Sequence, residues 1–196
     1  RTALMAAVAG GHEEIVQILI DKGSNINAKD KRSNTALIVA CLHGHESIVK
    51  LLITHGANID IYNWKGMTGL MYAVLVKHYN IVQLLICSGA NFDIQTKDGC
   101  TALIFASRSG YEDIVEILIK SGANVSVQSK ELLSRNNNSK YGNNKNQFLL
   151  KSGISIVLIG MTLFIIKKIK NKEAEKKSRE TKNKNLILNY NSYTNI

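Results

Sequence analysis

The sequence predicts an all-α repeat solenoid, in which helix-turn-helix units stack side by side and are joined by β-hairpin-like connections. A threonine opens each of four units at a spacing of 33 residues: Thr2, Thr35, Thr68 and Thr101. A glycine lies 21 residues after each threonine: Gly23, Gly56, Gly89 and Gly122. The segments EEIVQILI, ESIVKLLI, YNIVQLLI and EDIVEILI lie between these markers. Self-similarity at a fixed period of this length is typical of stacked repeat proteins.

The first helix of each unit is expected to begin at the threonine, because its hydroxyl can accept a hydrogen bond from the first turn. Small residues inside this helix allow neighbouring backbones to approach closely: Ala6, Ala7, Ala40, Cys41, Ala73 and Ala106. A glycine supplies the left-handed residue that ends the helix in three units: Gly11, Gly44 and Gly110. Lys77 takes this position in the third unit, at an expected cost of about 1 kcal/mol.

The second helix of each unit carries the IVxxLI stripe. Its apolar residues fall at i, i+1, i+3, i+4 and i+5, which is the pattern of a helix buried between neighbours. The residues that follow, such as IDIYNWKGM and FDIQTKDGC, are expected to form an extended excursion with a glycine-containing tip.

Taken together, the units match most of the signature T-P-L-H-x-A followed by G-H-x-x-I-V-x-L-L-x-x-G-A, and residues 1–128 therefore resemble an ankyrin-repeat array. The proline of the signature is replaced in every copy, by Ala3, Ala36, Gly69 and Ala102. Its histidine is replaced as well, by Met5, Ile38, Met71 and Ile104. Loss of both residues implies a weaker threonine–histidine network than is usual in the family, and hence softer repeats.

The resemblance implies that the array binds a protein partner on a concave face formed by hairpin tips and first helices. The candidate residues are Lys31, Arg32, Asn34, Leu42, His43, Trp64, Lys65, Met67, Leu75, Val76, Lys97, Asp98 and Arg108. In this set Trp64, Met67, Leu75 and Val76 are expected to face outward together, and tryptophan is enriched at binding hot spots. An alternative is that Trp64 folds back over its own hairpin and covers Tyr62 or the neighbouring tip.

No pattern in the sequence predicts catalysis, a metal site or a cofactor. The cluster of Cys41, His43 and His45 is explained by the repeat, since Cys41 takes a buried small position and His45 takes the motif histidine. Cys87 and Cys100 are expected at the surface as free thiols. Glycine-rich phosphate loops and paired carboxylates are absent from the sequence. The chain is therefore predicted not to be an enzyme.

The net charge of +10 is unevenly distributed. Residues 1–126 carry eleven basic and eleven acidic side chains, whereas residues 127–196 carry fourteen basic side chains and four glutamates. All the excess charge thus lies in the C-terminal part. Because no aromatic residue interrupts the basic run before Tyr190, nucleic-acid binding is not expected, and anionic lipid is the candidate partner of the basic tail.

Three segments follow the array. Residues 129–147 are Asn-rich and are predicted to form a linker or a degenerate fifth repeat. Residues 148–166 form a candidate transmembrane helix, because they are mostly apolar, carry no charge apart from Lys151 and would span about 28 Å of a hydrocarbon core of about 30 Å. Residues 167–196 form a basic tail. Nine basic residues in 167–186, against four in 131–152, favour a cytoplasmic tail but leave the side of the array open.

Two functional hypotheses remain. In the first, a monomeric ankyrin scaffold is tethered to a membrane as a single-pass protein and holds a protein partner on its concave face. In the alternative, the scaffold is soluble and intracellular, and the apolar C-terminal segment packs as a cap. Because the sequence begins at Arg1 without an initiator methionine, we expect it to be part of a longer protein.

Overall fold

The computed structural model of the chain describes residues 2–126 and the single residue Asn171. The chain divides into two units, residues 1–145 and 146–196, and the helices described below all belong to the first. Residues 2–126 form four helix pairs: α1 Ala3–Ala9, α2 Glu13–Asp21, α3 Ala36–His43, α4 Glu46–Thr54, α5 Gly69–Leu75, α6 Tyr79–Cys87, α7 Ala102–Ser109 and α8 Glu112–Lys120. The predicted helical repeat stack is confirmed.

The first, inner helix of each pair begins at the predicted threonine. Each threonine hydroxyl accepts a hydrogen bond from the backbone N–H three residues later, at 3.1 Å for Met5 and 3.3 Å for Ile38, Met71 and Ile104. These residues stand where the family motif has histidine. The cap needs only their backbone amides, and the side chains of Met5, Ile38 and Met71 are buried in the core instead.

The turn after each inner helix contains the predicted left-handed residue. The φ angles of Gly11, Gly44 and Gly110 are 72°, 79° and 71°. Lys77 occupies the same position with a φ of 59°, although a side chain is disfavoured there. The repeat geometry therefore dictates the backbone at this site even where the residue does not favour it.

Inner helices pack on inner helices and outer helices on outer helices along the whole stack. Each outer helix is covered by the one before it, so Ile48, Ile81 and Ile114 are 1%, 2% and 0% exposed. Ile15 has the same position in α2, but no described outer helix precedes α2, and Ile15 is 49% exposed. Burial of the IVxxLI stripe is thus a property of the interface between neighbouring repeats.

The motif histidines also join neighbouring repeats. A methyl group on Gly11 would lie 2.8 Å from the ring of His45, and one on Gly44 would lie 2.5 Å from the ring of His78. In the next copy the Lys77 ammonium lies 5.1 Å from the centre of the Tyr111 ring. Each aromatic side chain therefore packs against the turn of the repeat before it.

None of the helices in residues 2–126 combines the length and the apolar character needed to cross a membrane. The predicted linker or fifth repeat at 129–147, the candidate transmembrane helix at 148–166 and the basic tail at 167–196 lie outside the residues that the structure describes, apart from Asn171.

Ser33 offers a test of backbone strain. It has a φ of 59° at the position that glycine occupies in the next two repeats, where Gly66 and Gly99 have φ angles of 81° and 77°. We expect Ser33→Gly to raise the free energy of unfolding by about 0.5–1 kcal/mol, because release of left-handed strain outweighs the added entropy of the unfolded chain. Urea denaturation measures this difference. Lys77→Gly should gain less, since it also loses the contact with Tyr111, and a loss of stability in Ser33→Gly would contradict the strain argument.

Candidate functional site

Three hairpin tips project from the stack, at residues 30–34, 63–67 and 96–100, and all are closed in the same way. The backbone N–H of the first residue donates to the carbonyl of the fifth at 2.9, 3.0 and 2.9 Å, respectively. A side-chain oxygen of the first residue accepts from the amide of the fifth, at 2.8 Å from Asp30, 3.1 Å from Asn63 and 3.0 Å from Thr96. The sequence varies at the first position, but each side chain there supplies an acceptor.

Neighbouring tips are bonded to each other through the backbone. The N–H of Trp64 donates to the carbonyl of Arg32, and the N–H of Lys97 donates to that of Lys65, both at 3.1 Å. The buried amide of Asn63 donates at 2.9 Å to the side-chain oxygen of Asn34 and at 2.9 Å to the hydroxyl of Tyr72 on α5. Backbone and side chains thus fix the tips to one another and to the inner helices.

Asp30 is engaged within its own tip. Burial alone would raise the pKa of its carboxyl, but hydrogen bonds from the backbone and side chain of Asn34 and from the backbone N–H of Arg32 outweigh that effect and hold the pKa below its ordinary value. The carboxylate is therefore ionised at neutral pH. Its hydrogen-bonding capacity is directed to the tip itself.

Trp64 lies at the middle tip with half of its surface exposed (51%). The Lys65 ammonium lies 5.2 Å from the centre of its ring, and the Lys97 ammonium of the neighbouring tip lies 5.8 Å from it, both within the range of a cation–π contact. The ring thus contacts a lysine of its own tip and one of the neighbouring tip, and Tyr62 is exposed. Its role in binding stays a prediction.

Three apolar residues, which we call the apolar strip, lie at the C-terminal ends of inner helices α3 and α5. Leu42, Leu75 and Val76 are exposed there. Arg108, which occupies in α7 the position of Leu75 in α5, donates from its guanidinium to the sulfur of Cys100 in its own tip at 3.5 Å. The long side chain at this position of α7 therefore reaches a tip. We use the name tip face for the exposed residues of the three tips together with the exposed residues at the C-terminal ends of α3, α5 and α7.

Most of the predicted binding residues are exposed on the tip face: Lys31, Arg32, Leu42, His43, Trp64, Lys65, Leu75, Val76, Lys97, Asp98 and Arg108. Asn34 is half-buried and bonds to Asp30 and Asn63. The prediction that Met67 faces outward is wrong: it is 6% exposed, because it is the fifth residue that closes its tip. The surface position predicted for Cys100 is wrong for the same reason (4% exposed).

The cluster of Cys41, His43 and His45 shows no arrangement for chemistry. Cys41 is fully buried, and desolvation raises the pKa of its thiol far above the ordinary value, so the reactive thiolate is suppressed. Nδ1 of His43 lies 2.9 Å from the Val39 carbonyl, and the His43 and His45 rings stack with centres 6.0 Å apart. Among the described residues, no group of His, Cys, Asp and Glu side chains could hold a metal ion.

A second set of hydrogen bonds between neighbouring repeats was not predicted from the sequence. The backbone amides of Asn58, Asn91 and Asn124 donate to side chains of the preceding repeat, at 2.8 Å to Asn27, 2.9 Å to Asp60 and 3.0 Å to Asp93. The recurrence of asparagine two residues after each marker glycine was the available signal. It pointed to a conserved turn within the chain's own repeats but not to the 31-residue reach of the bond.

Comparisons with known proteins agree with this architecture. A family model described as ankyrin repeats (3 copies) matches residues 1–63 and again residues 60–129. The "Ankyrin repeat and KH domain-containing protein mask" of Drosophila melanogaster is 56% identical over 34 residues, which is 17% of this chain. That match spans 1% of the length of the Drosophila protein. The family model covers well over half of the chain, and the chain belongs to the ankyrin-repeat family.

Proposed function

We propose that the chain is a non-catalytic interaction scaffold that holds a protein partner on the tip face, the concave face expected for the family. Ankyrin repeats generally bind proteins, and the observation that carries the proposal here is the exposure of Trp64 at the middle tip and of the apolar strip (Leu42, Leu75 and Val76) at the ends of the inner helices. Exposed apolar side chains gathered beside an aromatic anchor, with polar residues around them, are typical of protein interfaces.

Two versions of this scaffold differ in what residues 148–166 do. The ankyrin-family match supports the interaction scaffold itself. The version with a packed C-terminal segment adds that residues 148–166 pack as a cap. The membrane tether rests on the apolar sequence of this segment alone. Alkaline carbonate extraction of membranes from cells that express residues 1–196 separates the versions, since only a spanning helix resists extraction. Residues 1–128 serve as the control for non-specific sedimentation.

Site-specific photo-crosslinking tests the binding face. We expect a crosslinker at position 75, on the tip face, to capture a partner, whereas one at position 50, exposed on outer helix α4, should not. The captured protein is then identified and purified. Equal capture at both positions, or capture at position 50 alone, would contradict the proposal.

Trp64→Ala should then weaken binding of that partner by about 30-fold, since truncation of a hot-spot aromatic costs about 2 kcal/mol. Tyr79→Ala is the matched control, because it removes an exposed aromatic ring from outer helix α6. Calorimetric titration measures both affinities. Equal affinities of the two variants would remove Trp64 from the interface.

A further inference from the structure

We infer that the partner presents an acidic segment to the tip face. Its carboxylates face the tip cations, which are Lys31, Arg32, Lys65 and Lys97, and its apolar side chains face Trp64 and the apolar strip. This inference rests on the proposed function and specifies the chemistry of the partner. It is carried by the distribution of charge in an array that is neutral as a whole.

Charge is sorted between the two sides of the array. Residues 1–126 have equal numbers of acidic and basic side chains, yet the tip face collects five cations and a single exposed carboxylate, that of Asp98. The cations are Lys31, Arg32, Lys65, Lys97 and Arg108. Seven of the eleven carboxylates lie instead on outer helices α2, α4 and α8, most of them in the first turn, where a negative charge interacts favourably with the helix dipole.

The four tip cations form no ion pairs with the described residues of the array. Throughout residues 2–126, no carboxylate lies within ion-pairing distance of Lys31, Arg32, Lys65 or Lys97. Asp30 stands in the same tip as two of them, but its oxygens accept hydrogen bonds from Arg32 and Asn34 amides. The backbone bonds between tips keep these like charges close together, so a ligand with negative charge relieves their repulsion.

The order of cations and the aromatic ring along the three tips also favours an acidic segment with apolar side chains. Lys31, Trp64 and Lys97 are equivalent residues of three successive tips, so the tryptophan position lies between two lysine positions in the stacking direction. Lys97 already lies over the indole, and Lys65 lies beside it. A segment that crosses the repeats would therefore meet cation, aromatic and cation in turn, with Leu42 and Leu75 alongside. This sequence of contacts fits alternating acidic and apolar side chains.

A single-stranded nucleic acid is the competing ligand for a surface with cations and an aromatic ring. Such ligands are held by successive stacking platforms along a basic groove. On the tip face, the exposed aromatic rings are the indole of Trp64 and the imidazole of His43 at the end of α3, and the positions equivalent to Trp64 in the other two tips are lysines. Its remaining exposed surface includes the aliphatic side chains of Leu42, Leu75 and Val76, which suit a peptide better than a base.

The test uses the full chain and a pool of short peptides built from Asp, Glu, Leu and Phe, with a matched pool in which Lys and Arg replace the acids. Trp64 is the only tryptophan of the chain, so its emission reports binding at the tips and not binding to the basic tail. We expect the acidic pool to change this emission and the basic pool to leave it unchanged. An oligothymidylate that changes it with equal or greater affinity would overturn the inference in favour of nucleic acid.

Charge-reversal variants test whether the tip lysines bind the carboxylates of the peptide. For the strongest acidic peptide, Lys65→Glu combined with Lys97→Glu should lower the calorimetric affinity on the order of tenfold or more. The matched control combines Lys22→Glu with Lys50→Glu, which changes the net charge equally at two exposed positions, one directly after outer helix α2 and one on outer helix α4. Lys65→Gln with Lys97→Gln should give an intermediate loss. Equal losses in the two charge-reversed proteins, or no loss in either, would overturn the inference.

The crosslinking experiment separates this inference from the proposed function. If a partner is captured at position 75 and its affinity is unchanged by Lys65→Glu and Lys97→Glu, the tip face is the binding face but the inference of an acidic segment is wrong. Capture of a partner only on the outer helices would contradict both the proposed function and the acidic segment.

Discussion

Ile81→Asp is expected to unfold more than its own repeat, whereas Ile15→Asp should leave the array folded. The two isoleucines hold the same position, the third residue of an outer helix, so helix propensity and the helix dipole act equally on both. They differ in burial, since Ile81 is 2% exposed and Ile15 is 49% exposed. A carboxylate at position 81 has no solvent and no partner, so we expect a loss of at least about 4 kcal/mol, against about 1 kcal/mol at position 15.

The extent of unfolding is as informative as its free energy. Each repeat buries its stripe against its neighbour, so loss of α6 removes the surface on which α4 and α8 pack. Amide hydrogen exchange of Ile81→Asp should therefore show lost protection in α4 and α8 as well as in α6. Retained protection in both neighbours would show that each repeat is stable by itself, contrary to the shared core.

The sequence was sufficient for the helices and their register because both follow from local rules that recur every 33 residues. Threonine caps, left-handed glycines and the IVxxLI stripe each favour one local backbone structure. Because the same pattern recurs in four copies, the positions of the helices could be predicted with little ambiguity. Even Lys77, which does not favour a left-handed backbone, was placed correctly, because the equivalent glycines of the other repeats indicated the turn.

The hairpin tips were predicted less well, because position in a repeat indicates a side of the molecule but not the hydrogen bonds made there. Met67 and Cys100 look like surface residues when tips are treated as extended loops. They are buried because the fifth residue of each tip bonds back to the first. Asn63 was not singled out at all, although it is the buried amide that joins two tips and α5. Contacts of this kind depend on how repeats stack and carry no local pattern.

Gly66→Ala is expected to be costly, because Gly66 lies where two tips meet. A methyl group there would lie 2.8 Å from the Cα of Thr96 and 3.0 Å from the backbone nitrogen of Lys97. Both atoms belong to the backbone of the next tip and cannot rotate away. Left-handed strain and overpacking together should lower the free energy of unfolding by about 2–4 kcal/mol.

Gly56→Ala supplies the control for this prediction. Its φ of 84° is close to the 81° of Gly66, but a methyl group at Gly56 would have no atom within 4 Å, so only the backbone strain remains, at about 1 kcal/mol. Urea denaturation of the two variants isolates the contact between tips. Equal losses would mean that the tips do not touch in solution. A larger loss in Gly66→Ala, with weaker binding at Trp64, would show that the packing which orders the repeats also sets the spacing of the tip cations.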